Sequence, residues 1–295
     1  MTFERLFQGS TIDRKRVGSS SGPLALFGLM GVEPVQEISF WTKLADEPLW
    51  LKVRWPYTFD LFDHYLITPA EADVQEYRAL MREQGLDPER PFQADDADLA
   101  RVRSYNEEEN PHGFPDAYIE SLALYQNITE LLLARDVMQF HCSALELDGR
   151  AYLFTAPSGT GKSTHVRLWR QVFGARVTVI NDDKPLVRLQ KDGSWRVYGT
   201  PYGGKHNLQT NTSQTLCGIV MLERGAENKI ERVTPHDAYV TLMAQTYHSI
   251  QTPERILHAM DLVGSLANLP VFRLQCNISQ QAVQVAYEAL KGETK

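Results

Sequence analysis

The apolar run Ala151-Tyr152-Leu153-Phe154-Thr155 leads into Ala156-Pro157-Ser158-Gly159-Thr160-Gly161-Lys162-Ser163-Thr164. From Ala156 onward the spacing is that of the phosphate-binding loop G-x-x-x-x-G-K-[ST], with alanine at the first position and Gly161, Lys162 and Ser163 in register. Such a loop needs glycines because successive backbone N–H groups must turn inward around an anion, and the helix after it adds the positive end of its dipole. A lysine at position 162 would bring a mobile positive charge to the β- and γ-phosphates. The Ser163 hydroxyl would complete the shell of a hard cation such as Mg²⁺. Alanine at 156 adds one methyl group and matters only if that position needs positive φ. A glycine-bearing turn between strand and helix is the plain alternative, and the agreement of strand context, spacing, lysine and serine outweighs it.

Phosphoryl transfer also needs a carboxylate near the metal. Arg176-Val177-Thr178-Val179-Ile180 is a short branched strand that delivers Asn181-Asp182-Asp183 at its carboxyl end, where ligands gather in open α/β sheets. One aspartate could bind Mg²⁺ and the other accept the proton of an attacking hydroxyl, and two adjacent carboxylates repel unless a cation lies between them. Residue type does not divide those roles. An Asn-Asp turn after a strand is common in itself, and its place about twenty residues beyond Lys162 gives this one weight.

Other reactive types carry less information. Cys142 lies in an apolar strand and reads as a buried thiol rather than a nucleophile. His64, His112, His165, His236, His248 and His258 have no metal-ligand spacing and read as solvent-facing or capping residues. Arg224, Lys229 and Arg232 could reach phosphate, with exposed charge on a hairpin as the default. The segment Tyr198-Gly199-Thr200-Pro201-Tyr202-Gly203-Gly204-Lys205-His206-Asn207 has glycines for close backbone approach and Lys205 and His206 as donors. A loop that closes over the γ-phosphate and a surface loop without chemistry explain it equally well.

A sheet is needed to bring these segments together. Met138 to Leu147 and Ala151 to Thr155 read as strands joined by Asp148-Gly149, a strong hairpin signal. Further strands are expected at 176–180, 186–189, 195–198, 216–222 and 271–274, with helices at about 163–172, 235–246, 253–266 and 279–290. Strands and helices mix without regular alternation, so the expected fold class is α/β, a mixed sheet with flanking helices. Upstream, residues 38–67 read as strands, 70–84 as a helix ended by Gly85, and 115–135 as a second helix. The acidic, proline-bearing stretch 86–115 reads as a long connection and the best boundary. Residues 1–115 are thus expected to form a smaller α+β region with a loosely attached start, Met1 to about Pro23, and residues 116–295 a nucleotide-binding domain.

Composition narrows the partners. The chain has 295 residues, 43% hydrophobic and 23% charged, with a formal charge of −7. That balance allows one large or two modest cores and lacks the basic footprint of a nucleic-acid binder. Cys142, Cys217 and Cys276 are odd in number and far apart, which fits free thiols in a reducing compartment, and no apolar run is long enough to span a bilayer. The expectation is a cytoplasmic protein without nucleic-acid or membrane partners. Self-association is left open.

In three ordered segments, Phe140-His141-Cys142-Ser143-Ala144, Ala156 to Thr164 and Asn181-Asp182-Asp183, the sequence resembles the HPr kinase/phosphorylase carboxy-terminal domain and its relatives. Those proteins share the nucleotide-binding core of phosphoenolpyruvate carboxykinase. The resemblance covers roughly residues 116 to 295. It implies ATP and Mg²⁺, with His141 beside the reacting phosphate and Asp182 or Asp183 as general base. The family's glycine-rich segment associated with HPr binding has no counterpart; Tyr198 to Asn207 stands in its place. The sequence also resembles HPr-kinase-like proteins linked to peptide modification. The expected activity is therefore transfer of the γ-phosphoryl group to a hydroxyl of a protein, peptide or small molecule, using Ala156, Pro157, Ser158, Gly159, Thr160, Gly161, Lys162, Ser163 and Thr164 for the nucleotide. Ser163, Asp182 and Asp183 are expected at the metal, and His141, Lys162, Lys205 and the two aspartates at the chemistry. The alternatives are a carboxykinase-like lyase, for which no arginine cluster stands out, and a non-catalytic ATP-responsive binding protein.

Overall fold

The computed structural model describes residues 37–106, 113–204, 206–247 and 252–292. The opening segment, His112, Lys205 and His248 lie outside the described residues. Contacts divide the chain into two compact units, Met1–Lys43 with Pro48–Asn127, and Leu44–Glu47 with Ile128–Lys295. Among the described residues no helix is long and apolar enough to cross a membrane.

The first unit begins with a two-stranded sheet of β1 (Ile38–Leu44) and β2 (Glu47–Val53). The stretch expected to be all strand also holds a short helix, α1 (Pro56–Leu61), whose entry the Glu120 carboxylate anchors through the preceding backbone and the Thr58 side chain. Glu120 accepts from the Arg54 N–H at 2.8 Å and from the Thr58 hydroxyl at 2.7 Å. A carboxylate supplied by a distant helix leaves no local signature, so the sequence reads as extended here. Helix α2 (Glu71–Glu83) buries Val74, Tyr77, Leu80 and Met81 and ends at Gly85 with φ +69°, as expected.

The stretch 86–115, expected to be a connection, contains helix α3 (Asp96–Asn106). Its apolar face is only Leu99 and Val102. It is held instead by a reciprocal cap: the Asp98 N–H donates to Asp95 Oδ1 at 2.9 Å, and the Asp95 N–H to Asp98 Oδ2 at 3.0 Å. Hydrophobic periodicity is blind to a helix stabilised through its first turn. Helix α4 (Asp116–Leu132) comes next.

The second unit is a mixed sheet with helices on both faces. Its strands are β3 (Val137–Phe140), β4 (Ser143–Leu147), β5 (Arg150–Thr155), β6 (Val177–Asn181), β7 (Leu186–Leu189), β8 (Trp195–Tyr198), β9 (Ser213–Arg224), β10 (Lys229–Arg232), β11 (Thr246–Tyr247) and β12 (Val271–Cys276). Its helices are α5 (Lys162–Phe173), α6 (Pro235–Gln245), α7 (Pro253–Leu266) and α8 (Gln280–Gly292). The order runs β11-β3-β7-β8-β9-β5-β4-β6, with β12 beside β9 and β10 beside β12. The long β9 joins the parts, pairing antiparallel with β8 at its start and parallel with both β5 and β12 further on.

Period-two alternation sorts the core. Ala144, Leu153, Ile219 and Met221 face α6 and α7, where Leu242, Val263 and Leu266 close over them. Leu145, Tyr152, Phe154, Val220 and Leu222 face α5 and α8, against Val166, Trp169, Val283 and Leu290. With both faces covered, β5 must read as the unbroken apolar run seen in the sequence. The Asp148-Gly149 turn joins β4 to β5 with both residues at positive φ, +54° and +78°, the geometry that such a two-residue hairpin needs. The strand expected from Met138 to Leu147 is two strands, β3 and β4, broken at His141-Cys142.

His165 corrects an expectation: it is 3% exposed, neither solvent-facing nor a cap. Its Nε2 accepts from Trp169 Nε1 at 2.9 Å, one helical turn along α5, and its ring lies 4.9 Å from that of Phe154. Burial lowers its pKa from 6.5 to about 4. The unfolded chain binds this proton more readily, so the stability held above pH 6.5 drains away as the pH falls toward 4. At about 1.4 kcal/mol per pH unit, the loss from this group is ~3 kcal/mol. Urea midpoints across that window should fall steeply in the wild type and less steeply in His165→Gln, whose amide oxygen can still accept from Trp169; identical slopes would refute the assignment.

Candidate active site

The catalytic candidates meet at one end of the β5-β4-β6 ladder. β4 pairs antiparallel with both neighbours, so the carboxyl ends of β5 and β6 lie at the same end as the start of β4. Thr155, the last residue of β5, donates its hydroxyl to the His141 carbonyl at 3.0 Å. The Ser143 hydroxyl donates to the Asp182 carbonyl at 3.2 Å, and the Cys142 N–H to that of Asp183, also at 3.2 Å. His141 is thus tied to the exit of β5 while its neighbours hold the exit of β6. Its own N–H donates to the Gln245 carbonyl at 2.7 Å, which fixes it from the end of α6.

The glycine-bearing loop spans residues 156–161 between β5 and α5. Gly159 and Gly161 have φ of +75° and +126°, whereas Ala156 is not among the positive-φ residues, so its methyl group meets no backbone constraint there. Pro157, Ser158 and Gly159 are exposed, as is Ser163 in the first turn of α5. First-turn N–H groups have no carbonyl within their own helix and are available to an anion. Lys162 is largely buried, and its Nζ donates to the Ala156 carbonyl at 2.8 Å. Burial lowers its pKa, opposed by the nearby Asp183 charge.

Asn181 holds the acidic turn in shape. It is fully buried; its Nδ2 donates to Thr200 Oγ1 at 3.0 Å, and its Oδ1 accepts from the Asp183 and Lys184 N–H groups, both at 2.8 Å. The two aspartates beyond it differ. Asp182 is 4% exposed: Oδ1 accepts from the Gly204 N–H at 2.6 Å, while Oδ2 is buried without a hydrogen-bond partner among the described residues. A Cβ at position 204 would stand 2.9 Å from that Oδ2, so any other residue would have to displace the carboxylate. Asp183 is more open and lies between Lys184 and His141, with Oδ2 2.6 Å from Lys184 Nζ and Oδ1 3.7 Å from His141 Nε2.

The electrostatics reflect this crowding. Burial lowers the His141 pKa first, and the Lys162 and Lys184 charges push it down further, against the pull of Asp183. Burial holds the Cys142 thiol well above its usual range, so it is a packed, protonated thiol as expected. Among the described residues no three His, Cys, Asp or Glu side chains form a metal cage. Mg²⁺ takes one or two carboxylates and completes its shell from waters and phosphate oxygens, so Asp182 and Asp183 are the carboxylates here that could hold it. The orphaned Asp182 Oδ2 fits that demand, because a buried anionic oxygen without a donor is stabilised by a cation.

The structure therefore brings together His141, the 156–164 segment, Asp182 and Asp183, while Lys205 lies outside the described residues. His206 is exposed. Sequence reasoning misses Gln245 and the contact of Gly204 with Asp182, and it leaves Arg224 as an exposed hairpin charge. The glycine pair at 203–204 is the one available signal.

No family profile matches the chain. No curated protein matches it. Among solved structures, an HPr(Ser) kinase/phosphatase from Coxiella burnetii aligns with 52% of this chain and 93% of its own length, at 12% identity and a TM-score of 0.27.

The Asn181 network generates a direct test. Asn181→Ala would strip partners from two buried-side N–H groups and from Thr200 and leave a void, a change worth about 2–4 kcal/mol. Urea unfolding should register that loss; a change below about 0.5 kcal/mol, the range of ordinary surface substitutions, would show that the turn holds its shape without this side chain.

Proposed function

We propose that the protein is an ATP- and Mg²⁺-dependent kinase that transfers the γ-phosphoryl group to a hydroxyl of a protein, peptide or small molecule. The observation that carries this reading is the meeting of the glycine-bearing loop and the acidic doublet at one end of the β5-β4-β6 ladder, with one buried carboxylate oxygen, Asp182 Oδ2, lacking a partner among the described residues.

In this reading the loop N–H groups and Lys162 take the β- and γ-phosphates. Ser163 and Asp182 would hold Mg²⁺, which supplies charge neutralisation to the phosphate oxygens. Asp183 is the general base: it is the more accessible carboxylate, and Lys184 and His141 flank it. It accepts the hydroxyl proton as the acceptor oxygen bonds to the γ-phosphorus and the bond from that phosphorus to the β–γ bridging oxygen breaks, leaving ADP. His141, held neutral by burial and neighbouring charge, can donate a hydrogen bond to a transferring phosphate oxygen without adding a full charge.

Calorimetry tests the first half. Lys162→Ala should weaken ATP binding at least tenfold, and equal affinity in the two proteins would overturn the loop assignment. Turnover tests the second half. Asp183→Asn should lower kcat by about 10²-fold or more, the usual contribution of a general base, with little change in KM for ATP. ATP bound but never consumed, across a broad panel of peptide and small-molecule hydroxyls, would identify a nucleotide-responsive binding protein instead.

A further inference from the structure

Arg224 ends β9, the strand parallel to β5, in which Met221 is level with Thr155. Three residues further on, at about 3.3 Å per residue, the chain runs about 10 Å past the end of β5 and along the flank of the loop. There the Arg224 guanidinium donates to two successive loop carbonyls, through Nη2 to Gly159 at 2.5 Å and through Nε to Thr160 at 3.4 Å. The neighbouring acids are taken: Arg273 pairs with Glu223 at 3.0 Å and with Glu231 at 3.1 Å. Among the described residues no carboxylate pairs with Arg224, and its fork is directed at the backbone.

The pattern of loop carbonyls gives that contact meaning. Ala156 O accepts from Lys162 Nζ, Pro157 O from the Thr160 N–H and Gly161 O from the His165 N–H. Of the other loop carbonyls, those of Gly159 and Thr160 belong to the two peptides that join the positive-φ glycines. A carbonyl and the following N–H belong to one rigid peptide plane and point in opposite directions. A side chain that holds the carbonyls of Gly159 and Thr160 therefore also fixes the two peptide planes they belong to: the first carries the Thr160 N–H, already bonded to Pro157 O, and the second carries the Gly161 N–H.

We infer that Arg224 is a positioning residue that clamps the loop from outside and presets its backbone, the Gly161 N–H included, for a polyphosphate before the ligand arrives. This rests on the reading of residues 156–164 as a phosphate-binding loop. Preset donors spare the ligand the cost of ordering them. The clamp depends on a planar fork that reaches two acceptors at once, a geometry a lysine ammonium does not reproduce.

The test uses the full chain and the variants Arg224→Gln and Arg224→Lys. In the ligand-free proteins, amide hydrogen exchange over residues 157–164 should quicken by about five- to tenfold in both variants, the effect of losing a modest hydrogen-bonded contact. Exchange over residues 177–181 should stay unchanged, which shows that the fold is kept. Calorimetry with ADP and with ATP, each with Mg²⁺, should show both nucleotides weakened by a similar factor, and equally in the lysine variant. Unchanged loop exchange would overturn the clamp. So would full rescue by lysine with ATP weakened more than ADP, because Arg224 would then act as a charge on the γ-phosphate. A wild type that binds no nucleotide would defeat the proposed function, while the exchange measurement would still decide whether the clamp exists.

Discussion

The hydrogen-bonded ladder β5-β4-β6 is the constraint on which the candidate site depends. An antiparallel strand between two parallel ones puts its own beginning beside their ends, and so His141-Cys142 comes to lie between the loop after β5 and the acidic turn after β6. These strands are buried on both faces, so a slip of one residue would exchange the side chains offered to α5 and α8 for those offered to α6 and α7. The core thus fixes the register, and the register fixes the site. Near the functional end, the pairing of β4 with β6 shifts between Ala144 and Leu145, where β6 carries one extra residue. A bulge of this kind bends a strand and re-aims the residues beyond it. Those residues are Asn181, the last of β6, and the two aspartates that follow it.

Much of this ladder is legible in the sequence because its causes are local. The Asp148-Gly149 turn declares the hairpin, the run 151–155 declares a strand covered on both faces, and Gly159, Gly161 and Lys162 declare the loop. The features that stay hidden depend on partners far along the chain. Arg224 meets Gly159 across 65 residues, and Gly204 meets Asp182 across 22. Neither spacing repeats in a way that could be recognised. The break between β3 and β4 is hidden for a related reason: His141 and Cys142 extend an apolar run without a glycine or proline to interrupt it, and only the bonds from Gln245, Thr155 and Asp183 turn the chain there. His165 reads as a surface residue by its polarity, while its place on α5 makes it a core residue beside Phe154 and Trp169.

The two aspartates show why adjacent identical residues can have different chemistry. Sequence assigns both the same charge and the same strand end. The fold then buries one against a glycine backbone and leaves the other in reach of Lys184 and His141. The carboxylate in the first position is nearly inaccessible and packs so closely on residue 204 that a Cβ there would have to displace it. The second is bordered by side chains that can move. A fixed anion suits a ligand held throughout a reaction, and an adjustable one suits a group that must receive a proton and release it.

The same crowding bears on what the site is built to receive. Lys162, Lys184 and His141 stand near one another; burial disfavours the charged forms of His141 and Lys162, and the two lysine charges push the His141 pKa down further. Asp183 offsets only part of this. A polyanion beside His141 and Lys162 would favour their charged forms, and a neutral ligand would not. In the proposed reading, the exposed loop and the Lys162 side chain beside it are the groups that would meet the phosphates.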